Sequence, residues 1–157
     1  MKTDNLFAEQ FDFQLPATVN FVGGGGKTSL IVRLLSEYSQ SMTTIYTTTT
    51  GMHPPDPTRG MVVISGSCDV PMLEILDRIA RKGDERLRRL VVTGLEDENG
   101  LLSGVPADFA ARLDRELFRL VLNEADGARQ VTLEMPRDGE PVPLDSANYL
   151  VPVIGVD

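Results

Sequence analysis

The stretch FVGGGGKTSL, residues 21–30, sets four consecutive glycines directly before Lys27 and Thr28. Upstream, ATVNFV (17–22) is short, apolar and rich in β-branched residues, which predicts a buried strand. Downstream, apolar residues recur at helical spacing, which predicts a helix from about residue 27 to 40. A strand that leads through glycines into a helix is an arrangement that binds phosphate groups.

The glycine loop meets the requirements of a phosphate site. Several backbone N–H groups must turn inward, and glycine permits both the positive φ angles and the close approach that this needs. The helix N-terminus adds unpaired N–H donors and a favourable dipole. The residues assigned to phosphate binding here are Gly23, Gly24, Gly25, Gly26, Lys27, Thr28 and Ser29. Lys27 would neutralise the β- and γ-phosphates, and Thr28 would place its hydroxyl on Mg²⁺.

The loop departs from the general pattern G-x-x-x-x-G-K-[ST] at its first position, where Phe21 replaces glycine. We interpret Phe21 as part of the strand, so that a shortened Walker A loop begins at Gly23. Mur ligases carry a similar short loop. The signature lysine of ParA/MinD-like ATPases would fall at Val22, so that class is not supported. A glycine turn without a ligand explains one glycine, but not four followed by Lys-Thr.

The rest of the chain alternates between predicted strands and helices. Further strands are predicted at 43–50, 61–65, 87–94 and 118–124. Further helices are predicted after the N-cap Asp69, ending at Gly83, and at 106–117. Pro152 within the last apolar run predicts an edge strand or a bulge. We expect one P-loop-like domain over residues 1–157, with three α/β/α layers and a mostly parallel sheet.

A Walker B-like segment is predicted at the same sheet edge as the glycine loop, because ligands of parallel sheets bind beyond the C-terminal strand ends. FRLVLNEAD is an apolar strand that ends in Glu124 and Asp126. Such acids hold Mg²⁺ or orient an attacking water, and strand alternation sends both to one side. We assign both as metal ligands and candidate catalytic residues. The competing interpretation is a surface turn built on Asp126-Gly127.

Three more residues are candidates for contact with the phosphates or with Mg²⁺. Thr49 and Thr50 end the predicted strand 43–50 and carry hydroxyl groups, although β-propensity alone explains most of this threonine run. Alternation places Thr47 and Thr49 on one face of the strand and the other two threonines on the opposite face. Arg129 lies three residues after the acidic turn, where it would reach a phosphate or be a solvated loop charge.

Composition and charge exclude several classes of protein. The net charge of −8 argues against a nucleic-acid-binding surface, which needs clustered basic side chains. No apolar run approaches the length of a membrane span, and residues 1–10 lack the apolar core of a signal peptide. The single cysteine, Cys68, excludes a disulfide framework, and the only histidine, His53, lies in a proline-rich stretch typical of an exposed loop. We therefore expect a cytoplasmic protein without nucleic-acid or membrane partners.

Several segments resemble, in the same order, those of the YqeC-type proteins. They are FVGGGGKTSL, IYTTTTGM, TGLEDENGLLSGVP, LVLNEADGAR and EPVP…VPVIGVD. The resemblance spans roughly residues 17–157, and the glycine loop with EADGAR is its specific part. These proteins are described as accessory proteins for selenium-dependent molybdenum hydroxylases. They are thought to bind a nucleotide and to help insert or modify a labile selenium-containing molybdenum cofactor.

The resemblance implies ATP or GTP with Mg²⁺ as cofactors, and a molybdenum hydroxylase or its cofactor as partner. Two positions depart from the family pattern, because Gly51 and Glu134 stand where relatives usually have lysine. Both departures reduce the positive charge available to a polyphosphate. Relatives also tend to be longer, so the end at Asp157 suggests a short relative or a missing C-terminal segment.

Three functions stay open. The first is a nucleotide-binding accessory protein or nucleoside triphosphatase, in which Lys27, Glu124 and Asp126 would act on the nucleotide. The second is a non-catalytic module for a phosphorylated cofactor such as a molybdopterin nucleotide, which the two missing lysines favour. The third is a kinase or ATP-dependent ligase, which the Mur-like loop suggests.

Overall fold

The computed structural model describes residues 6–127 and 138–155. Its main sheet has six strands, all parallel, in the spatial order β4-β5-β2-β7-β1-β8. These strands are β1 (Ala17–Gly23), β2 (Thr44–Thr48), β4 (Val62–Ser65), β5 (Arg89–Thr93), β7 (Leu120–Glu124) and β8 (Tyr149–Val153). A separate antiparallel ribbon pairs β3 (Gly51–Met52) with β6 (Leu102–Ser103). The parallel sheet that the sequence predicts is confirmed.

Helices cover both faces of this sheet and complete three layers. The α-helices are α1 (Leu6–Phe11), α2 (Lys27–Tyr38) and α3 (Val70–Lys82), and short 3₁₀ turns lie at Pro57–Arg59, Glu85–Leu87 and Phe109–Arg112. On one face α1 and α2 cover buried side chains that include Phe21 and Tyr46. On the other face α3 places Leu76 against Ile45 and Phe109. The three-layer α/β/α architecture is therefore confirmed. None of the helices in the described ranges is long and apolar enough to cross a bilayer.

Local signals predicted several element ends correctly. Asp69 caps α3, because its side chain accepts the N–H of Met72 at 3.2 Å. Gly83 ends the same helix with a φ of +66°. Pro152 lies in β8, which is an edge strand of the main sheet.

The strand predicted at 43–50 ends early, at Thr48. The hydroxyl of Thr48 accepts the N–H groups of Thr50 and Gly51, at 3.2 and 3.3 Å. A side-chain oxygen that binds nearby backbone donors competes with strand pairing, and here it turns the chain. Thr49 and Thr50 therefore lie beyond β2, and the predicted alternation can apply only to Thr47 and Thr48.

The helix predicted at 106–117 is wrong, because this segment forms only the 3₁₀ turn Phe109–Arg112. Leu113 is extended, with ψ near 149°, and its side chain is buried. Asp114 then accepts the N–H of Glu116 with its side chain at 3.0 Å. Such a local bond offers the backbone an alternative to the helix. The apolar spacing of this segment reflects a compact turn that brings Phe118 into the core ahead of β7.

Candidate functional site

The site lies where the C-terminal ends of three neighbouring strands meet. Within the sheet, Glu124 at the end of β7 is in register with Phe21 of β1 on one side and Thr48 of β2 on the other. Phe21 is fully buried in β1, as predicted, and the glycine loop begins two residues later. The register therefore sets the acids that end β7 beside the start of the glycine loop.

The last strand of the sheet shapes the backbone of the loop. Gly23 pairs with Val153 of β8 and has a φ of +106°, a conformation that side chains disfavour. A Cβ atom there would collide with the carbonyl oxygen of Val153. Gly24 donates its N–H to that same oxygen at 2.8 Å. Gly26 has a φ of +100° and precedes the first residue of α2. Gly23 and Gly26 are thus required because of their positive φ angles, and Gly23 is also required because a side chain there would not fit.

Lys27 is held under the loop by two hydrogen bonds and one ion pair. Its side chain is only 1% exposed, and Nζ donates to the carbonyl oxygens of Gly23 and Gly24. The same nitrogen lies 3.0 Å from Oδ1 of Asp126. The other carboxylate oxygen of Asp126 accepts the N–H of Gly23 at 2.7 Å. Asp126 therefore fixes both the lysine ammonium group and the first amide of the loop.

Glu124 contacts a different part of the loop region. The hydroxyl of Thr28 lies 3.2 and 3.1 Å from its two carboxylate oxygens, and the hydroxyl of Tyr46 donates to Oε2 at 2.8 Å. Burial raises the pKa of Glu124, and the bonds from Tyr46 and Thr28 partly oppose this. Burial and the adjacent carboxylate raise the pKa of Tyr46, so the phenol keeps its proton and remains a donor.

The Thr28–Glu124 pair suits a magnesium ion. Magnesium prefers oxygen ligands, and it commonly takes one or two from protein and the others from water and phosphate. A hydroxyl and a buried carboxylate within 3.2 Å of each other, at the N-terminus of α2, supply such a partial set. Among the described residues, no group of three or more acidic, histidine or cysteine side chains is arranged so that it could hold a metal ion. The pair therefore fits a metal that shares its coordination with a phosphate ligand.

The remaining predicted site residues that the structure describes lie near these two pairs, since Ser29 lines the same cavity as Thr28 and the N–H of Thr49 donates to the carbonyl oxygen of Glu124. The hydroxyl of Thr49 donates to the carbonyl oxygen of Val142, and that of Thr50 is 3.2 Å from the hydroxyl of Thr48. Neither threonine has a hydrogen bond to the loop, and both stay predictions. Ser29 is exposed on the first turn of α2. Arg129 lies outside the described residues, as does Glu134.

Sequence reasoning missed the polar residues that support the site. The strand pattern does not single out Tyr46, although strand alternation places it on the same face as Thr48 and hence near Glu124. On the opposite face, the amide nitrogen of Asn123 donates to Oδ1 of Asn20 at 2.8 Å, and the same oxygen accepts the N–H of Leu144. Asn20 and Asn123 are in register on the neighbouring strands β1 and β7, and their hydrogen bond joins these strands directly beneath the loop. A polar residue at the same position of two apolar strands is the sequence signal that could have predicted this bond.

A cavity of about 460 Å³ adjoins the Thr28–Glu124 pair. Its other walls come from the first turns of α2, from β2, and from the segment between β3 and β4. The lining residues used below are Val32, Met52, Arg59, Met61 and Leu101. His53 also lines it and is exposed, in agreement with its predicted loop position. Cys68 lies elsewhere; it is buried, and burial raises the pKa of its thiol, which makes it unreactive.

The buried carboxylate makes stability depend on pH in a testable way. A carboxyl group whose pKa is raised by folding stabilises fully below its unfolded value, and this contribution is lost as pH rises through the folded value. Glu124→Gln should therefore raise the free energy of unfolding at pH 7.5 in the presence of a chelator, and the gain should shrink at pH 4. Urea denaturation at both pH values measures this, with the exposed Glu98→Gln as the matched control. A loss of stability at both pH values would contradict the assignment.

Comparison with known proteins gives one family match. The family model described as "YqeC protein" matches residues 19–157, which is nearly the whole chain. No curated protein and no solved structure gives a significant match. The matched range includes the glycine loop, the acidic end of β7 and β8.

Proposed function

Because the chain belongs to the YqeC family, we propose that it binds a magnesium nucleotide, ATP or GTP, at the glycine loop. We further propose that it acts as an accessory protein in the maturation of selenium-dependent molybdenum hydroxylases. One observation carries the nucleotide proposal. Two separate pairs, each with one acidic residue, lie at the same glycine loop at the carboxyl edge of the sheet. They are Lys27–Asp126 and Thr28–Glu124.

Each residue of the site has a distinct proposed role. The amides of the loop and the ammonium group of Lys27 would bind the phosphates. The hydroxyl of Thr28 and the carboxylate of Glu124 would hold Mg²⁺, which would neutralise phosphate charge when bound. Asp126 would position Lys27 and, if the nucleotide is hydrolysed, it or Glu124 would orient the attacking water.

The nucleotide proposal predicts a strong dependence on the metal. Glu124 and Asp126 place two carboxylates beside the loop, so phosphates without Mg²⁺ would meet like charge. We expect the affinity for non-hydrolysable ATP or GTP analogues to fall at least about tenfold when EDTA replaces Mg²⁺. Isothermal titration of the full chain measures both affinities. Failure of both analogues to bind at millimolar concentration would refute nucleotide binding, and equal affinity with and without Mg²⁺ would refute the metal assignment.

The non-catalytic module is the second candidate, and one observation favours it. Gly51, which stands where relatives usually carry lysine, lines the cavity beside the Thr28–Glu124 pair and adds no positive charge there. Phosphate release under saturating Mg-ATP and Mg-GTP separates the candidates. Binding without release favours the module, whereas release that Glu124→Gln or Asp126→Asn slows favours a nucleoside triphosphatase. The same variants should leave phosphate release unchanged if it comes from a contaminant.

A further inference from the structure

The cavity beside the Thr28–Glu124 pair continues along α2 as a cleft. A second cavity of about 300 Å³ shares three of its lining residues, Val32, Arg59 and Met61. The second cavity reaches Ser36, which lies two helical turns beyond Thr28, and Arg89 of β5. The two cavities together form what we call the α2 cleft, which runs from the proposed metal ligands to a pair of arginines.

The two ends of the α2 cleft differ in charge. At one end lie the Thr28 hydroxyl and the Glu124 carboxylate. At the other end lie the exposed side chain of Arg59 and the guanidinium group of Arg89, which donates to the backbone oxygen of Arg59 at 3.5 Å and to the hydroxyl of Ser39 at 3.0 Å. Guanidinium groups suit the binding of anions. The first cavity is also lined by Asp56, whereas Arg89 lines the second cavity and not the first.

Several side chains that line the α2 cleft are apolar. Val32, Met52, Met61 and Leu101 supply its walls. Methionine side chains adapt to their partner, and the sulfur makes favourable contacts with aromatic rings. An apolar cavity of several hundred cubic ångströms with a few polar groups at its ends is typical of a site for a small organic molecule.

We propose that the α2 cleft binds a second small molecule beside the nucleotide: an anion with a flat, apolar ring body. Its ring lies between Met52 and Met61, its anionic group meets Arg59 and Arg89, and its other end faces the Thr28–Glu124 pair. The position relative to the phosphates rests on the proposed function, because it assumes that this pair holds the metal. The ligand class rests on the lining residues alone.

The first test uses a pair of matched fluorescent probes on the full chain. 1-Anilinonaphthalene-8-sulfonate is a flat aromatic anion, and N-phenyl-1-naphthylamine is its uncharged counterpart. We expect Arg59→Glu to weaken binding of the sulfonate at least about tenfold and to leave binding of the neutral probe within about twofold. Arg78→Glu makes the same charge change on the exposed face of α3 and should alter neither affinity. Equal effects of the two variants on the sulfonate would overturn the proposal.

The methionines of the chain locate the bound probe. With ¹³C-labelled methionine methyl groups, we expect the sulfonate to shift the signals of Met52 and Met61. Met72 belongs to α3 and is buried in the core on the opposite face of the sheet, so its signal should not move. A shift of Met72 without shifts of the other two would place the probe elsewhere and overturn the proposal.

Probe binding in the presence of nucleotide analogues distinguishes this proposal from the proposed function. Saturating Mg-AMP-PNP or Mg-GMP-PNP should leave the affinity for the sulfonate within about twofold, because two different sites are occupied. Displacement of the probe by the analogue would show that the cleft holds the nucleoside, and the second-ligand proposal would fail. If neither analogue binds but the Arg59→Glu and methyl results hold, the nucleotide proposal fails and the anion cleft stands.

Discussion

Nucleotide affinity should fall by about 10- to 150-fold when Lys27 is replaced by alanine, since a hydrogen bond to a charged group contributes roughly 1.5–3 kcal/mol. Lys27 directly follows the glycines, and the carbonyl oxygens of Gly23 and Gly24 already hold its ammonium group at the loop. Isothermal titration with Mg-AMP-PNP and Mg-GMP-PNP measures the loss. Lys82→Ala removes an exposed lysine at the C-terminus of α3 and should bind as the unmodified chain does.

The Lys27 result needs a second variant, because Lys27 is buried against Asp126. Removal of one partner leaves an unpaired buried charge, which typically costs about 3–5 kcal/mol of stability. The double variant Lys27→Ala/Asp126→Ala removes that charge and should recover part of the lost stability without recovering nucleotide binding. A folded double variant that binds as tightly as the unmodified chain would refute the phosphate role of Lys27.

Gly23→Ala should be the most destabilising single-methyl addition in the loop, with an expected loss of about 3 kcal/mol or more. The φ of +106° is unfavourable for alanine, and the new methyl group would collide with the Val153 carbonyl oxygen. In a chain of this size such a loss lowers Tm by roughly 6–12 °C. Differential scanning calorimetry gives the value, and nucleotide binding should fall with it because Gly23 also presents its N–H to Asp126.

Gly83→Ala is the matched control for this prediction. Gly83 also has a positive φ, +66°, but nothing lies within 4 Å of the added methyl group. The expected cost is only about 1 kcal/mol, which is that of the left-handed conformation alone. Equal losses at Gly23 and Gly83 would contradict the claim that close approach to β8 constrains the loop.

The sequence predicted those features that local chemistry determines. Asp69 and Gly83 are cap residues whose preference arises within one turn, and both caps are confirmed. The burial of Phe21 in β1 follows from the strand pattern around it. The approach of Glu124 and Asp126 to the glycine loop follows from the rule that parallel strands share one carboxyl edge.

Features that depend on tertiary partners could not be predicted in the same way. The segment 106–117 has helical spacing, but burial of Leu113 and the turn at Asp114 decide its structure. Asp126 pairs with Lys27, and Glu124 pairs with Thr28. Strand alternation does not predict which acid meets which partner, because side-chain packing decides it. One wall of the α2 cleft is the segment between β3 and β4. This segment has no periodic apolar pattern, so its path could not be predicted from the sequence.

The pairing of Gly23 and Gly24 with Val153 has a consequence for biosynthesis. Residues 23 and 153 are far apart in the sequence, so the loop reaches its final shape only after β8 has docked on β1. During translation the ribosome releases the glycine segment long before it releases its partner strand. A ligand that needs this loop shape would therefore bind only after β8 has joined the sheet, so docking of β8 sets the earliest moment of binding.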